Sequence, residues 1–225
     1  MSEPTRVAAL LFDFDGTIMD SETAVFRAYR RLYEEHGHEL SLEDWAGGVG
    51  TLGGFDPVEE LETRLGREID RAVLEGRSWE DVAEAGDPPL RPGVRRYLDE
   101  ARRRGIALGI VSSNDRAWVD KHIARLDVAD VWATIVTADG DERRAKPSPD
   151  LYLEALRDLD VGAFATVAIE DSPNGIAAAK AARLFCVAAP NEVTRGLDLS
   201  AADLVVASLD ELPFDRLLAA VAADR

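Results

Sequence analysis

Asp13 and Asp15 stand two residues apart in Asp13-Phe14-Asp15-Gly16-Thr17, directly after the apolar run Val7 to Phe12. On extended backbone that spacing points both carboxylates to the same side. Ser112-Ser113-Asn114 and Glu170-Asp171 follow apolar runs in the same way, and Lys146-Pro147 closes a loop after another. If those runs are neighbouring strands, Asp13, Asp15 and Asp171 come together, and that much negative charge requires a cation. An all-oxygen donor set with few protein contacts suits Mg²⁺. A metal, a lysine, hydroxyls and the backbone N–H groups of a glycine turn are what phosphoryl transfer asks for, because that reaction depends on positioning and on stabilising charge spread over the phosphoryl oxygens. Each piece has a plainer reading: Asp15-Gly16 as a turn, Asp13 as a helix cap, Ser112 as a strand-end residue, Lys146 as a surface charge. Lysine is scarce, however, with three among the 26 Lys and Arg residues, so one at a strand end is less readily a generic surface charge. The other strand ends then decide what the first motif alone leaves open.

Ligands of open α/β sheets bind outside the carboxyl ends of the strands, and the scaffold such residues need is written along the chain. The runs Val7 to Phe12, Ile106 to Val111, Thr134 to Thr137, Ala165 to Ile169, Phe185 to Ala188 and Leu204 to Val206 alternate with helical patterns. That alternation predicts an α/β fold, a Rossmann-like parallel sheet with helices on both faces. Ser148-Pro149 reads as N-cap and first helical residue ahead of Leu151, and Arg91-Pro92-Gly93 precedes the helix containing Val94, Tyr97 and Leu98. Between Asp20 and Leu90 the strand signal disappears. Helices are expected there at Ser21 to His36, Leu42 to Ala46, Pro57 to Leu65 and Glu68 to Ala85. The segment is far longer than a βα connection of about 2–6 residues, so it is predicted to be an inserted helical cap. The expected division is residues 1–20 and 91–225 as core and 21–90 as cap.

Composition narrows the partners. The net charge of −17 over 225 residues repels nucleic acid, and Arg102 to Arg104 read as a solvated helix face. A small anionic ester must then find a metal or a placed lysine. Cys186, the only cysteine, sits in an apolar run and reads as a buried packing thiol. The apolar run near the N-terminus is too short for a signal peptide or a membrane span, so no membrane association and a cytoplasmic protein are expected. Gly48-Val49-Gly50-Thr51-Leu52-Gly53 satisfies a dinucleotide pattern but follows a helical segment rather than a strand, the wrong setting for it. His36, His38 and His122 lack metal-ligand spacing. Nothing decides between monomer and dimer.

At the chemistry-bearing residues the sequence resembles the haloacid dehalogenase superfamily. Asp13-Phe14-Asp15-Gly16-Thr17 is similar to its first motif, Ser112 to its second, Lys146 to its third and Glu170-Asp171 to its fourth, in order from residue 13 to residue 171. The flanks Lys146-Pro147-Ser148-Pro149-Asp150 and Glu170-Asp171-Ser172-Pro173-Asn174-Gly175 resemble the branch with β-phosphoglucomutase and phosphoglycolate phosphatase. The resemblance implies Asp13 as nucleophile, Asp15 as general acid and then base, and Ser112 and Lys146 holding phosphoryl oxygens. It implies Mg²⁺ held by Asp13, the backbone carbonyl of Asp15 and Asp171, with Glu170 nearby. Gly16, Thr17, Ser113, Asn114 and, on the cap side, Ser21 are the expected substrate-binding residues, while specificity is expected from cap positions such as Trp45, the glycine loop, Arg67, Arg71 or Arg77. The implied activity is hydrolysis of a small phosphorylated metabolite. A sugar-phosphate mutase and a catalytically silent binding protein are the alternatives. Mutase relatives carry a His after the first motif and an Arg after the cap-loop glycine, where this chain has Val25 and an uncharged loop. Dehalogenases do not need Asp15, and phosphonatases use a cap lysine, of which residues 21–90 have none. Where relatives often show Ala-Gly after the fourth motif, this chain has Ala182-Arg183, which places local packing in question.

Overall fold

Six short strands, nearly all apolar, build the centre of the computed structural model, which describes residues 7–46, 55–72, 74, 76 and 88–224. They are β1 (Ala9–Phe12), β2 (Ala107–Ser112), β3 (Thr134–Thr137), β4 (Thr166–Glu170), β5 (Phe185–Ala188) and β6 (Leu204–Val205). All pairs are parallel, in the order β3-β2-β1-β4-β5-β6. A sheet covered on both faces needs apolar residues on both, which is why the strands read as unbroken apolar runs. Leu10 and Phe12 of β1 pack into one core with Val167 and Ile169, whereas Leu11 packs into the opposite core with Ala168, Cys186 and Ala188. Cys186 is a buried packing residue, and burial pushes its thiol up.

The cap leaves the sheet after β1 and returns beside its point of exit. Met19 pairs antiparallel with Leu90, and Arg91 N donates to Ile18 O at 2.9 Å. Between them lie α1 (Ser21–Glu35), α2 (Leu42–Ala46) and α3 (Pro57–Leu65). Asp20 caps α1 through Thr23 N, and Asp56 caps α3 ahead of Pro57. Their apolar faces meet in a separate cluster of Phe26, Leu32, Tyr33, Leu40, Val58 and Leu61. Trp45 belongs to this cluster. It is 8% exposed and lies 5.7 Å from both Phe26 and Tyr29, packed inside the cap. Arg71 is paired with Asp56 at 2.9 Å. The glycine loop at 47–54, Arg77 and most of the helix expected at Glu68 to Ala85 lie outside the described residues, although Arg71, Ala72, Leu74 and Gly76 are helical.

The core helices are α4 (Val94–Arg104), α5 (Arg116–Arg125), α6 (Asp150–Leu159), α7 (Pro173–Ala181) and α8 (Phe214–Ala223). Two local expectations change. Helix α6 is preceded by Pro149 as N-cap, one residue later than expected, with Ser148 Oγ accepting from Asp150 N at 3.3 Å. At Ala182-Arg183 the chain turns with Arg183 at φ 62. Glycine takes that left-handed conformation freely, and for Arg183 it costs about 1–2 kcal/mol, the physical reason that the resemblance leads one to expect glycine there. No described helix is long and apolar enough to cross a membrane.

Candidate active site

Strand register brings the separated motifs together. Phe12 is paired with Ile110 on one side and Ile169 on the other, and Asp13 N still donates to Ile169 O at 2.9 Å. Asp13 therefore emerges between Ser112 and Glu170-Asp171. Asp13, Glu170 and Asp171 are buried and offer carboxylate oxygens that all lie within 4.8 Å of one another. Lys146, 1% exposed, places Nζ between Asp13 Oδ1 and Glu170 Oε1, the latter at 2.7 Å. Burial alone would lower the ammonium, but the charges of Asp13 and Glu170 reverse this and hold it above the ordinary lysine range. Tyr152 donates its hydroxyl to Glu170 Oε1 at 2.5 Å.

The trio differs from the expected one in a single member. Asp15 does not share it, because the backbone leaves the strand at Asp13 and turns at Gly16, φ 88. The carboxylate of Asp15 instead accepts from Ser21 Oγ at 2.7 Å, Trp118 Nε1 at 2.9 Å and Asn114 Nδ2 at 3.3 Å. Burial holds it above the usual carboxylate range, against the Ser21 hydrogen bond and with help from the charge of Asp13. Ser112 is buried, its Oγ accepting from Asn114 N at 3.0 Å, and Ser113 Oγ accepts from Lys146 N at 3.2 Å. Thr17 is buried beside the turn. Half-buried Glu22, in the first turn of α1, is pushed up to about 8 by burial and by the charges of Asp15, Asp13 and Asp20.

Asp13, Glu170 and Asp171 outnumber the Lys146 ammonium and the Arg91 guanidinium that acts on Asp171, and buried negative charge in excess is costly without a partner. Among the described residues, Asp13 Oδ2 and Glu170 Oε2 are buried with no hydrogen-bond partner. Burial and the charges of Asp13 and Glu170 push the Asp171 carboxyl well up. Oxygen donors, excess negative charge and unpartnered buried oxygens together fit a hard divalent cation. The enclosure around them is tight. A Cβ at Gly16 would lie 2.3 Å from Asp171 Oδ2, and one at Gly175 would lie 1.8 Å from Glu170 Oε2.

Trp118, Tyr152, Gly175, Glu22, Asn191 and Arg91 are the residues of this site that motif reasoning passed over. Tyr152 and Trp118 sit on the inner faces of α6 and α5, where a helical pattern marks them only as core. Gly175 was within reach, because a glycine in the first turn of a helix after two acids signals close approach.

Comparison with known proteins finds relatives along most of the chain. The haloacid dehalogenase-like hydrolase family model matches residues 7–183. YhcW of Bacillus subtilis (strain 168) is 38% identical over 213 residues, covering 94% of this chain and 96% of the relative. Hexitol phosphatase B of Escherichia coli (strain K12) is 29% identical over 237 residues, covering 97% of this chain and 100% of the relative. A solved structure of a CbbY variant from Rhodobacter sphaeroides, in complex with xylulose-(1,5)bisphosphate, superposes with a TM-score of 0.70 at 29% identity, covering 92% of this chain and 96% of that one.

Proposed function

The chain belongs to the haloacid dehalogenase-like hydrolases, and on that footing we propose that it hydrolyses the phosphate monoester of a small sugar or polyol, with Asp13 as the nucleophile. The observation that carries this reading is the state of the Asp13 carboxylate: one oxygen is held by Lys146, and the other is buried and unpartnered at the carboxyl end of the central strand. Hexitol phosphatase B and the bisphosphate complex of CbbY support the substrate class.

In the first half-reaction one carboxylate oxygen of Asp13 forms a bond to phosphorus as the ester P–O bond breaks, and the departing alkoxide takes the proton of Asp15. The phosphoaspartate is then attacked by water, whose proton returns to Asp15 as the Asp13–phosphorus bond breaks. Lys146 holds Asp13 and meets the transferring oxygens with positive charge, and Ser112 donates to one of them. The backbone N–H groups of the Gly16-Thr17 turn, with Ser113, Asn114 and Ser21, line the substrate. Asp13, Asp171 and the carbonyl of Asp15, with Glu170 behind them, would hold Mg²⁺, which supplies charge neutralisation at the phosphoryl oxygens when bound. We assign residues 21–90 to the cap that closes over this site, and residues 1–20 and 91–225 to the core.

Measuring phosphate release from a panel of sugar, polyol and acid phosphates in the presence of Mg²⁺ tests the reading. Release that is selective within the panel and lost in Asp13→Asn supports it, and no release from any member overturns it.

A further inference from the structure

We infer that Asn191 is a positioning residue for Asp171, turning that carboxylate toward the metal and tying its orientation to the loop on which the cap rests. The inference rests on the proposed metal-binding role of Asp171.

Asn191 is 5% exposed and donates from Nδ2 to Asp171 Oδ2 at 2.7 Å. Its amide oxygen accepts from Val193 N at 2.8 Å, Thr194 N at 3.0 Å and Thr194 Oγ1 at 3.3 Å. Three donors on one end of the amide leave a single orientation that satisfies the network, with the N–H end facing the acid. Asn191 N is itself bonded to Thr194 Oγ1 at 3.0 Å, so the side chain projects from a closed turn. Gly16 borders the same contact, since a Cβ there would lie 2.8 Å from Asn191 Nδ2.

Both flanks of the turn are fastened. Arg91, at the point where the cap returns, donates to the carbonyls of Gly16, Ala189 and Pro190, joining the turn after β1 to the residues leading into Asn191. On the other flank Glu192 pairs with Arg27 of α1, and Val193 packs into the cap cluster with Phe26 and Leu32. One short segment therefore touches the proposed metal ligand through its amide and the cap through its next two residues. A buried carboxylate crowded by Asp13 and Glu170 has every electrostatic reason to turn away. A donor held this rigidly keeps it in place, as hydrogen-bonding partners of metal ligands commonly do.

The test measures Mg²⁺ binding by titration calorimetry without substrate, in wild type, Asn191→Ser and Thr194→Val, with a melting curve for each. Alanine would strip the acceptor from three loop donors and endanger the turn. Serine keeps a hydroxyl that such turns accept but is too short to reach Asp171. Asn191→Ser is expected to fold and to weaken Mg²⁺ binding about 10–100-fold, with turnover recovering as Mg²⁺ is raised, while Thr194→Val binds near the wild-type level. Equal Mg²⁺ affinity in wild type and Asn191→Ser overturns the role of Asn191 and leaves the metal site standing. Equal losses in Asn191→Ser and Thr194→Val overturn it as well, since the effect would then belong to the turn and not to the amide donor. Absence of Mg²⁺ binding in the wild type overturns the metal reading and this inference with it.

Discussion

Trp118 donates its indole N–H to Asp15 Oδ1 at 2.9 Å, so the carboxyl proposed as general acid is held from the core by an aromatic ring. Ser21 holds the same oxygen from the cap side at 2.7 Å. These bonds favour the ionised form, yet burial and the nearby charge of Asp13 leave the group above the ordinary carboxylate range. A carboxyl that retains a proton more readily than usual, next to the nucleophile but turned out of the Asp13, Glu170 and Asp171 group, is arranged to serve a leaving oxygen.

That placement predicts a loss that depends on the leaving group. In Asp15→Ala, turnover of alkyl phosphates should fall by about 10²–10⁴, the usual worth of general acid catalysis, and turnover of p-nitrophenyl phosphate far less, because its leaving group needs little protonation. Trp118→Phe should shift the two substrates in the same sense by a smaller factor. Equal losses on both substrates would assign Asp15 a structural role.

The sheet, and the polar residues gathered at the carboxyl ends of its strands, are legible in the sequence because they obey short-range rules. Parallel strands buried on both faces announce themselves as apolar runs, and polar residues at their ends mark the crevice. The three-carboxylate group differs in one member from the one that strand spacing predicts. Extended backbone through Asp15 would gather Asp13, Asp15 and Asp171, but the strand ends at Phe12 and Gly16 turns the chain, so Asp13 and Asp171 meet Glu170 instead. Tyr152, Trp118 and Asn191 escaped notice for a different reason. Their roles exist only through contacts across 18, 103 and 20 residues of chain, which no local pattern encodes.

Asp13→Asn should abolish turnover, by several orders of magnitude, with the fold intact. A neutral amide is no nucleophile, and Glu170 and Asp171 lose a repulsive neighbour while Lys146 keeps Glu170 at 2.7 Å. Thermal unfolding should give a melting temperature equal to or above that of the wild type. Near-normal turnover would refute the phosphoaspartate route.

Gly175→Ala should destabilise the protein although it places alanine in a helix. Alanine is favoured there over glycine by about 1 kcal/mol, but the new Cβ would lie 1.8 Å from Glu170 Oε2, inside a fully buried group bonded to Lys146 and Tyr152. Overpacking of about 1–3 kcal/mol or more outweighs the helical gain. A calorimetric melt should show a decrease of a few degrees, at about 2–4 °C per kcal/mol for a chain of this size. An unchanged or higher melting temperature would mean that the contact is slack.

Chelation should remove activity, Mg²⁺ should restore it, and excess Ca²⁺ should suppress it. Ca²⁺ takes more oxygen ligands in looser geometry, and beside Glu170 and Asp171 it would take both oxygens of Asp13 and leave neither to attack phosphorus. Full activity in enzyme shown by elemental analysis to be metal-free would contradict the assigned site.

The sharpest functional prediction separates hydrolysis from isomerisation. A mutase must keep water from the phosphoaspartate while it holds a bisphosphorylated sugar, so its cap needs a free cation for the second phosphate. Val25, where the resemblance to mutases leads one to expect a histidine, is half-buried against the cap cluster. Of the described cap arginines, Arg27 is paired with Glu192, Arg30 with Glu34, Arg64 with Glu60 and Asp44, and Arg71 with Asp56, and Arg31 is engaged as well. The exposed Arg67 stands just after α3, at the edge of the cap. Incubation with β-glucose 1-phosphate and a trace of the bisphosphate should therefore release inorganic phosphate and form little glucose 6-phosphate, followed by coupled assays for the two products. Isomerisation faster than phosphate release would overturn the hydrolase reading, and Arg67→Ala would then be the first variant to make.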